Sequence, residues 1–240
     1  MTFDKFEYSN KGGRSYNEDS TGSKVIGSRG LFVVADGLGG HAFGELASKC
    51  AVETLLEGFG ADLEITQDFL ADRIAEANRR ILKLQQEKGE IMKSTVVSLL
   101  INDETAYWAH VGDSRLYYFR DGELCYCTED HSVAYKKYKA GEIGRDDISK
   151  DEDQSQLLRS LGGRDRNEPV VSLYPAPLLD GDAFLLCSDG VWEYLRDEEV
   201  LIDLLKSENA EQWAEHLLMR MMDRIEGEND NLSLITLIVH

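Results

Sequence analysis

Residues 31–45, LFVVADGLGGHAFGE, contain the features that decide between the possible folds of this chain. The stretch begins as an apolar strand, breaks into glycines and then opens a predicted helix. Its glycines fit the dinucleotide-binding pattern, so a Rossmann-type enzyme is one hypothesis. Such loops offer bare amides to a pyrophosphate, and the carboxylate of Asp36 is the wrong chemistry there. The acidic residue expected further along the chain, Glu57, lies in a helical pattern instead of ending a strand. The dinucleotide-binding hypothesis is therefore set aside, and the carboxylate at the end of this strand needs another explanation.

The composition excludes several classes of protein. The chain has 240 residues, with 26 basic and 45 acidic side chains and a net charge of −19. This charge argues against nucleic acid or an anionic membrane surface as a partner. The four cysteines lack the paired spacing of zinc sites and suggest no disulfide framework. With no basic leader and no long apolar run, we expect a cytoplasmic protein. We also expect it to be a monomer.

The hydrophobic pattern predicts an α+β fold in one domain, residues 1–240. Predicted strands cover residues 30–35, 94–101, 105–111, 115–119, 123–127, 169–174, 183–187 and 232–239. Predicted helices cover about 44–57, 66–87, 197–206 and 210–225. Because the helices come in pairs and not after every strand, the pattern favours a layered fold over a doubly wound parallel sheet. Residues 131–167 are polar and weakly periodic, which is typical of a functional or mobile loop.

Acidic residues recur at the ends of apolar strands. Asp36-Gly37 and Asp189-Gly190 each follow a strand, Asp113 lies in a turn between two apolar runs, and Asp230 precedes the last strand. Any one of these is more often a turn former than a ligand. Together with the adjacent Glu18 and Asp19 of RSYNEDS, they predict a carboxylate cluster that needs a cation to offset repulsion and desolvation.

The donor types predict which cation the cluster binds. Oxygen ligands without clustered histidine or cysteine favour Mg²⁺ or Mn²⁺ over zinc. Glycine after each aspartate allows close approach, so that a main-chain carbonyl can join the ligands. Two such ions about 3.5 to 4 Å apart activate a bridging water for in-line attack on phosphorus. No covalent intermediate is required.

Eight segments, in order, resemble the metal-dependent PP2C-type (PPM family) serine/threonine protein phosphatases, particularly the small bacterial members. These segments are RSYNEDS, VVADGLGGHAFGELAS, STVVSLLI, AHVGDSRLYYFRDGEL, TEDHS, LLRSLGG, LLCSDGVWEYL and DNLSLITLIV. The resemblance implies a four-layer α/β/β/α sandwich, with two antiparallel sheets flanked by helix pairs. It also implies that residues 131–167 form a flap beside the active site.

The resemblance further implies the roles of individual metal-site residues. Asp36 bridges two metal ions and Gly37 offers its carbonyl, while Asp189 and Asp230 hold the second ion. Asp113 corresponds to a third, weaker metal site. Glu18 and Asp19 support the cluster through bound waters and hydrogen bonds.

Two further residues are assigned through the resemblance. Arg14 corresponds to the arginine that contacts the substrate phosphate and is counted with Asp36 as catalytic. His41 is out of register with the histidine that relatives with a shorter motif use as proton donor, so we expect it to be structural. The identity of the general acid stays open.

The function expected from the resemblance is hydrolysis of phosphoserine and phosphothreonine in proteins, opposing serine/threonine kinases of the same bacterial cell. The expected partners are phosphorylated proteins, including such a kinase or its substrates. Two alternatives stay open: a binding module that keeps the fold without the activity, and a phosphatase of small phosphoesters or of a phosphorylated regulator.

Overall fold

The computed structural model describes residues 1–39, 43–60, 68–163 and 176–240. Within these ranges the strands are β1 (Phe3–Asn10), β2 (Ser20–Ile26), β3 (Arg29–Ala35), β4 (Gly37–Leu38), β5 (Lys93–Ser94), β6 (Val96–Asn102), β7 (Thr105–Val111), β8 (Arg115–Arg120), β9 (Glu123–Cys127), β10 (Ala176–Pro177), β11 (Ala183–Cys187) and β12 (Leu232–Val239). The helices are α1 (Phe43–Glu57), α2 (Phe69–Lys88), α3 (Val133–Lys139), α4 (Asp189–Trp192), α5 (Asp197–Leu205) and α6 (Ala210–Met222), with a 3₁₀ helix at Arg145–Lys150.

The strands form two five-stranded antiparallel sheets. One has the order β1-β12-β11-β8-β9 and the other β10-β7-β6-β3-β2. The short strands β4 and β5 pair separately, and they join Gly37 to Ser94. This small ladder begins directly after Asp36, which follows the last residue of β3.

Alternating side chains on the strands build three apolar layers. In β3, Phe32 and Val34 pack between the two sheets, whereas Leu31 and Val33 face α1 and α2. In β11 the same alternation sends Phe184 between the sheets, and its neighbours pack with α4, α5 and α6. A strand buried on both faces must be apolar throughout, which explains its continuous hydrophobic run. The result is the predicted α/β/β/α sandwich, and the prediction of the fold class is confirmed.

Most predicted elements within the described ranges are present, and the pattern missed β1, β2, the short strands β4 and β10, and α3. The sequence pattern did not predict β1 and β2, which lie at the edges of the two sheets. Both are half exposed and rich in polar residues, so their alternation is weak. The strand predicted at 169–174 and the start of the helix predicted at 66–87 lie outside the described residues. In the described ranges, no helix is both long and apolar enough to span a membrane.

The segment predicted to be a flap contains regular structure. Residues 133–139 form α3, whose N-terminus is capped by Ser132 through a hydrogen bond from the Tyr135 amide, and the 3₁₀ helix follows. A bridge of Leu157 with Ser132 joins the two ends of the segment, and a bridge of Leu161 with Ser94 connects it to β5. Its last predicted residues, 164–167, lie outside the described ranges.

Candidate active site

A polar cleft of 610 Å³ opens at one end of the two sheets. It brings together residues from distant parts of the chain. The lining residues include Arg14, Glu18, Asp36, Gly37, Asp113, Asp189 and Asp230. Seven of the eight predicted site residues therefore share one cleft. The eighth, Asp19, is buried, and its negative charge lies close enough to raise the pKa of Asp36 and that of Asp189.

The backbone fixes Asp36 at the floor of the cleft. The Thr95 amide donates to the Asp36 carbonyl at 2.8 Å, and the Asp36 amide donates to Thr95 Oγ1 at 2.9 Å. Gly37 is packed so closely that an added Cβ would lie 2.2 Å from the Gly44 carbonyl oxygen and 2.4 Å from that of Glu18. Only glycine fits here, as a close approach between backbones requires.

Asp189 and Asp113 meet through the short helix α4. Asp189 begins this helix, and its Oδ1 accepts a 2.7 Å hydrogen bond from the Gly190 amide. Trp192, in the same helix, donates from Nε1 to the Asp113 carbonyl at 2.9 Å. The two carboxylates thus belong to segments that are tied to each other by a buried contact.

The carboxylates at the floor disfavour each other's ionised forms. Burial, followed by the charge of Asp189, raises the pKa of Asp36 well above its usual range. Burial, followed by the charge of Asp113, does the same to the pKa of Asp189. Burial also raises the pKa of Asp113 to about 7, and its Oδ1 has no hydrogen-bond partner among the described residues. Crowded buried carboxylates with an unsatisfied oxygen fit a hard divalent cation, which would remove the repulsion.

Glu18 and Asp19 lie behind this cluster. Glu18 Oε1 accepts from the Gly44 amide in the first turn of α1 at 3.2 Å, and burial raises its pKa. Asp19 Oδ2 accepts from Ser188 Oγ at 2.7 Å, and burial raises its pKa to about 6. Both contacts anchor the cluster to neighbouring elements, as the predicted supporting role requires.

Arg14 and Asp230 form an ion pair at the rim. Arg14 donates from Nε to Asp230 Oδ1 at 3.0 Å and from Nη2 to Oδ2 at 2.7 Å. The described residues contain no group of three His, Cys, Asp or Glu side chains already placed to hold a metal ion. An ionised carboxylate has about four lone-pair sites, so Asp230 can accept both hydrogen bonds from Arg14 and still offer an oxygen lone pair to a cation.

The structure adds two residues that the sequence did not indicate. Asn231 accepts the Glu18 amide at 2.7 Å and donates to the carbonyls of Lys11 and Tyr16 at 2.8 and 2.9 Å. It thereby connects the start of β12 to the whole RSYNEDS segment. Glu193, whose pKa burial raises to about 7, adds negative charge beside Asp189. The only signal for Glu193 is its spacing of one helical turn from Asp189.

The histidines lie away from the carboxylates or outside the described residues. The rings of His110 and His131 stack at a centroid distance of 4.6 Å, and His131 Nδ1 accepts the Gly112 amide at 3.2 Å. Burial lowers the pKa of His131 to about 3 and also lowers that of His110. The expectation for His41 falls on a residue that the structure does not describe.

Comparison with known proteins identifies the family of this chain. The family model for protein phosphatase 2C matches residues 8–223. This chain belongs to the protein phosphatase 2C family. A serine/threonine phosphatase (stp) of Listeria welshimeri is 30% identical over 230 residues, which are 92% of this chain and 90% of that protein.

Solved structures of protein phosphatase 2C relatives share the fold. The serine/threonine phosphatase of S. agalactiae superposes with a TM-score of 0.87 at 26% identity, over 100% of both chains. The catalytic domain of the serine/threonine protein phosphatase PstP, in complex with two manganese ions, superposes with a TM-score of 0.82 at 28% identity, over 99% of both chains. The expected cofactor, Mn²⁺ or Mg²⁺ as two ions, agrees with that relative and with the oxygen ligands of this cleft.

Proposed function

We propose that this protein is a Mn²⁺- or Mg²⁺-dependent serine/threonine protein phosphatase that hydrolyses phosphoserine and phosphothreonine in proteins. The observation that supports it most is the convergence of carboxylates from separate segments on one cleft, with one arginine at its rim. No cysteine lines this cleft among the described residues, and we infer that the carboxylates and a cation supply the chemistry.

Each of the eight predicted site residues has a role in this proposal. Asp36, the Gly37 carbonyl, Asp189 and Asp230 would hold two divalent cations, with Asp113 at a third, weaker site. When bound, the cations supply charge neutralisation and lower the pKa of water, so that hydrolysis needs no covalent intermediate. Glu18 and Asp19 hold these groups in place through their contacts with α1 and with Ser188.

Arg14 is suited to orient the phosphate. Its guanidinium is exposed at the rim and keeps further N–H donors beyond the two that Asp230 accepts. These donors can hold two phosphate oxygens and stabilise the negative charge of the transition state. Asp230 fixes the plane of the guanidinium, so little rotational freedom is lost when the phosphate binds.

The biological setting is proposed from the family and the sequence. We infer that the chain acts as one phosphatase domain, as a cytoplasmic monomer, on phosphorylated proteins that include a serine/threonine kinase or its substrates. Light scattering of the purified protein would test the monomer, and loss of phosphatase in a deletion strain, followed by phosphoproteomics, would identify the substrates.

The test of the function is hydrolysis of a phosphothreonine peptide in Mn²⁺, Mg²⁺ or EDTA. We expect turnover that requires metal and that both Asp36→Asn and Asp189→Asn abolish. Turnover of small phosphoesters alone, with no peptide or protein accepted, would contradict the assignment of protein substrates. Folded protein that binds phosphopeptides but turns over nothing with any metal would instead be a binding module.

A further inference from the structure

The segment LLRSLGG ends in a tightly held turn that the proposed reaction does not use. Gly162 is buried with φ +73°, and an added Cβ would lie 2.6 Å from the Met92 carbonyl oxygen. Its amide donates to Asn78 Oδ1 at 2.8 Å, and its carbonyl accepts from Gln85 Nε2 at 2.8 Å. Gln85 Nε2 also donates to the Met92 carbonyl at 2.6 Å. Two side chains of α2 therefore hold the end of the flap against the strand β5.

This turn is connected to Asp36 by consecutive hydrogen bonds. Leu161 and Ser94 exchange backbone hydrogen bonds at 2.8 and 3.2 Å. The Thr95 amide donates to the Asp36 carbonyl at 2.8 Å. Ser94 Oγ lies 3.0 Å from the same oxygen and 2.7 Å from the Thr95 carbonyl, so its single proton is shared between the two acceptors. Ser94 also pairs with Gly37 in the β4–β5 ladder.

The same two residues reach a second carboxylate. Thr95 Oγ1 accepts the Asp36 amide, so its own proton is free to donate to Ser114 Oγ, 2.6 Å away. Ser114 directly follows Asp113. Residues 94 and 95 thus connect the flap end to the backbone of two carboxylates at the floor of the cleft.

We propose that Asn78 and Gln85 are positioning residues: by clamping Gly162 they hold residues 94 and 95 where these fix Asp36 and Gly37 toward the cleft. The proposal deepens the function proposed above and rests on it for its effect on catalysis. Neither side chain lines the cleft, so their influence must pass through the backbone of β5. The positions of the carboxylates therefore depend on how the end of the flap packs against α2 and β5.

The first test separates the Asn78 hydrogen bond from the bulk of its side chain. Asn78→Ala leaves the buried Gly162 amide without an acceptor, whereas Asn78→Asp keeps an oxygen in place. We expect Asn78→Ala to lower kcat and to weaken Mn²⁺ binding, measured by calorimetry, each by roughly tenfold, as loss of a residue supporting metal ligands does. Asn78→Asp should restore both, and KM for the peptide should change little.

A second variant and a matched control guard against loss of folding. Gln85→Met keeps the volume and removes both donated hydrogen bonds, while Gln86→Ala alters an exposed neighbour on the same helix. Hydrogen exchange should quicken in Asn78→Ala and Gln85→Met at residues 161–162, at residues 94–95 and at residues 36–37. In Gln86→Ala the rates of all three segments should match the wild type.

The outcomes distinguish the clamp from the function. Faster exchange confined to residues 161–162, with unchanged Mn²⁺ affinity in both clamp variants, would overturn the proposal. Equal loss of protection over the whole chain would also overturn it, since that is general destabilisation. If the wild type lacked phosphatase activity, the function would fail while exchange and Mn²⁺ binding still reported on the clamp.

Discussion

The floor and the rim of the cleft are built differently. At the floor, the backbone of Asp36 exchanges two hydrogen bonds with Thr95, directly after the buried end of β3. At the rim, the side chain of Arg14 is 60% exposed, and its recorded side-chain partner is Asp230, itself 37% exposed. Rigid strand ends suit groups that must converge on a cation, whereas exposed side chains suit groups that meet a substrate. We therefore expect substitutions at the floor to abolish catalysis and substitutions at the rim to lower the efficiency with which the substrate is hydrolysed.

The largest effect is expected at the floor. Asp36→Asn removes a buried carboxylate that is affected by the charges of four other aspartates. It should lower kcat by on the order of 10³ or more, because catalytic groups that act as a unit fail together. Steady-state hydrolysis of a phosphothreonine peptide in saturating Mn²⁺ measures it. Asp121→Asn, the same chemical change in an exposed turn, should leave kcat unchanged.

Asp36→Asn should stabilise the fold although it lowers kcat. Burial and neighbouring charges raise the pKa of Asp36, so its ionised form destabilises the native state at neutral pH. In EDTA at pH 7, Asp36→Asn should raise the free energy of unfolding by about 1–2 kcal/mol. Urea denaturation measures the change, and a less stable variant would refute the account of a repulsive floor.

A smaller catalytic effect is expected at the rim. Arg14→Ala should lower kcat/KM by roughly 10²-fold, because it removes donors that stabilise charge on the phosphate. Arg14→Lys should recover only part of this loss, since an ammonium cannot bind two oxygens in a plane. Lys11→Ala, which removes an exposed positive charge nearby, is the control. If Arg14→Lys matched the wild type, the rim would act by charge alone.

The sequence predicted the carboxylates at the floor of the cleft better than it predicted the residues and strands that support them. Asp36 and Asp189 each follow an apolar run and precede a glycine, which is a local signal that can be read directly. Asn231 accepts the amide of Glu18, 213 positions away, and no local pattern encodes such a contact. The edge strand β1 was missed for a related reason: its polar residues are tolerated because one side of the strand has no neighbour in the sheet.

Substitution of Asn231 tests whether the segment that carries Arg14 and Glu18 depends on a buried hydrogen-bonding side chain. Asn231→Ala removes one acceptor and two donated hydrogen bonds and leaves the Glu18 amide unpaired. The free energy of unfolding should fall by about 1–3 kcal/mol. Thermal and urea denaturation measure it, with Glu228→Ala as an exposed control on the same loop. An unchanged stability would mean that the RSYNEDS segment is held in some other way.

The smallest effect is expected far from the cleft, at Glu199 on α5. Its carboxylate accepts from Arg224 at 2.5 and 2.7 Å, and this contact, above all others, lowers its pKa from 4.5 to about 2. A lowered carboxylate pKa stabilises the fold fully above pH 4.5, and the contribution is lost as the pH falls through about 2. Because the pair lies near the surface and is screened by water, Glu199→Gln should cost only about 1 kcal/mol at pH 7.

The pH dependence distinguishes this ion pair from a packing effect. The stability difference between Glu199→Gln and the wild type should shrink below pH 4.5 and vanish near pH 2, as followed by urea denaturation across the range. Glu198→Gln, an exposed change on the same helix, should show a smaller difference at pH 7. Phosphatase activity of Glu199→Gln should equal that of the wild type, because stability lost in the helix layer leaves the carboxylates at the floor in place. A difference that persisted unchanged at pH 2 would show that Glu199 stabilises α5 by shape and not by charge.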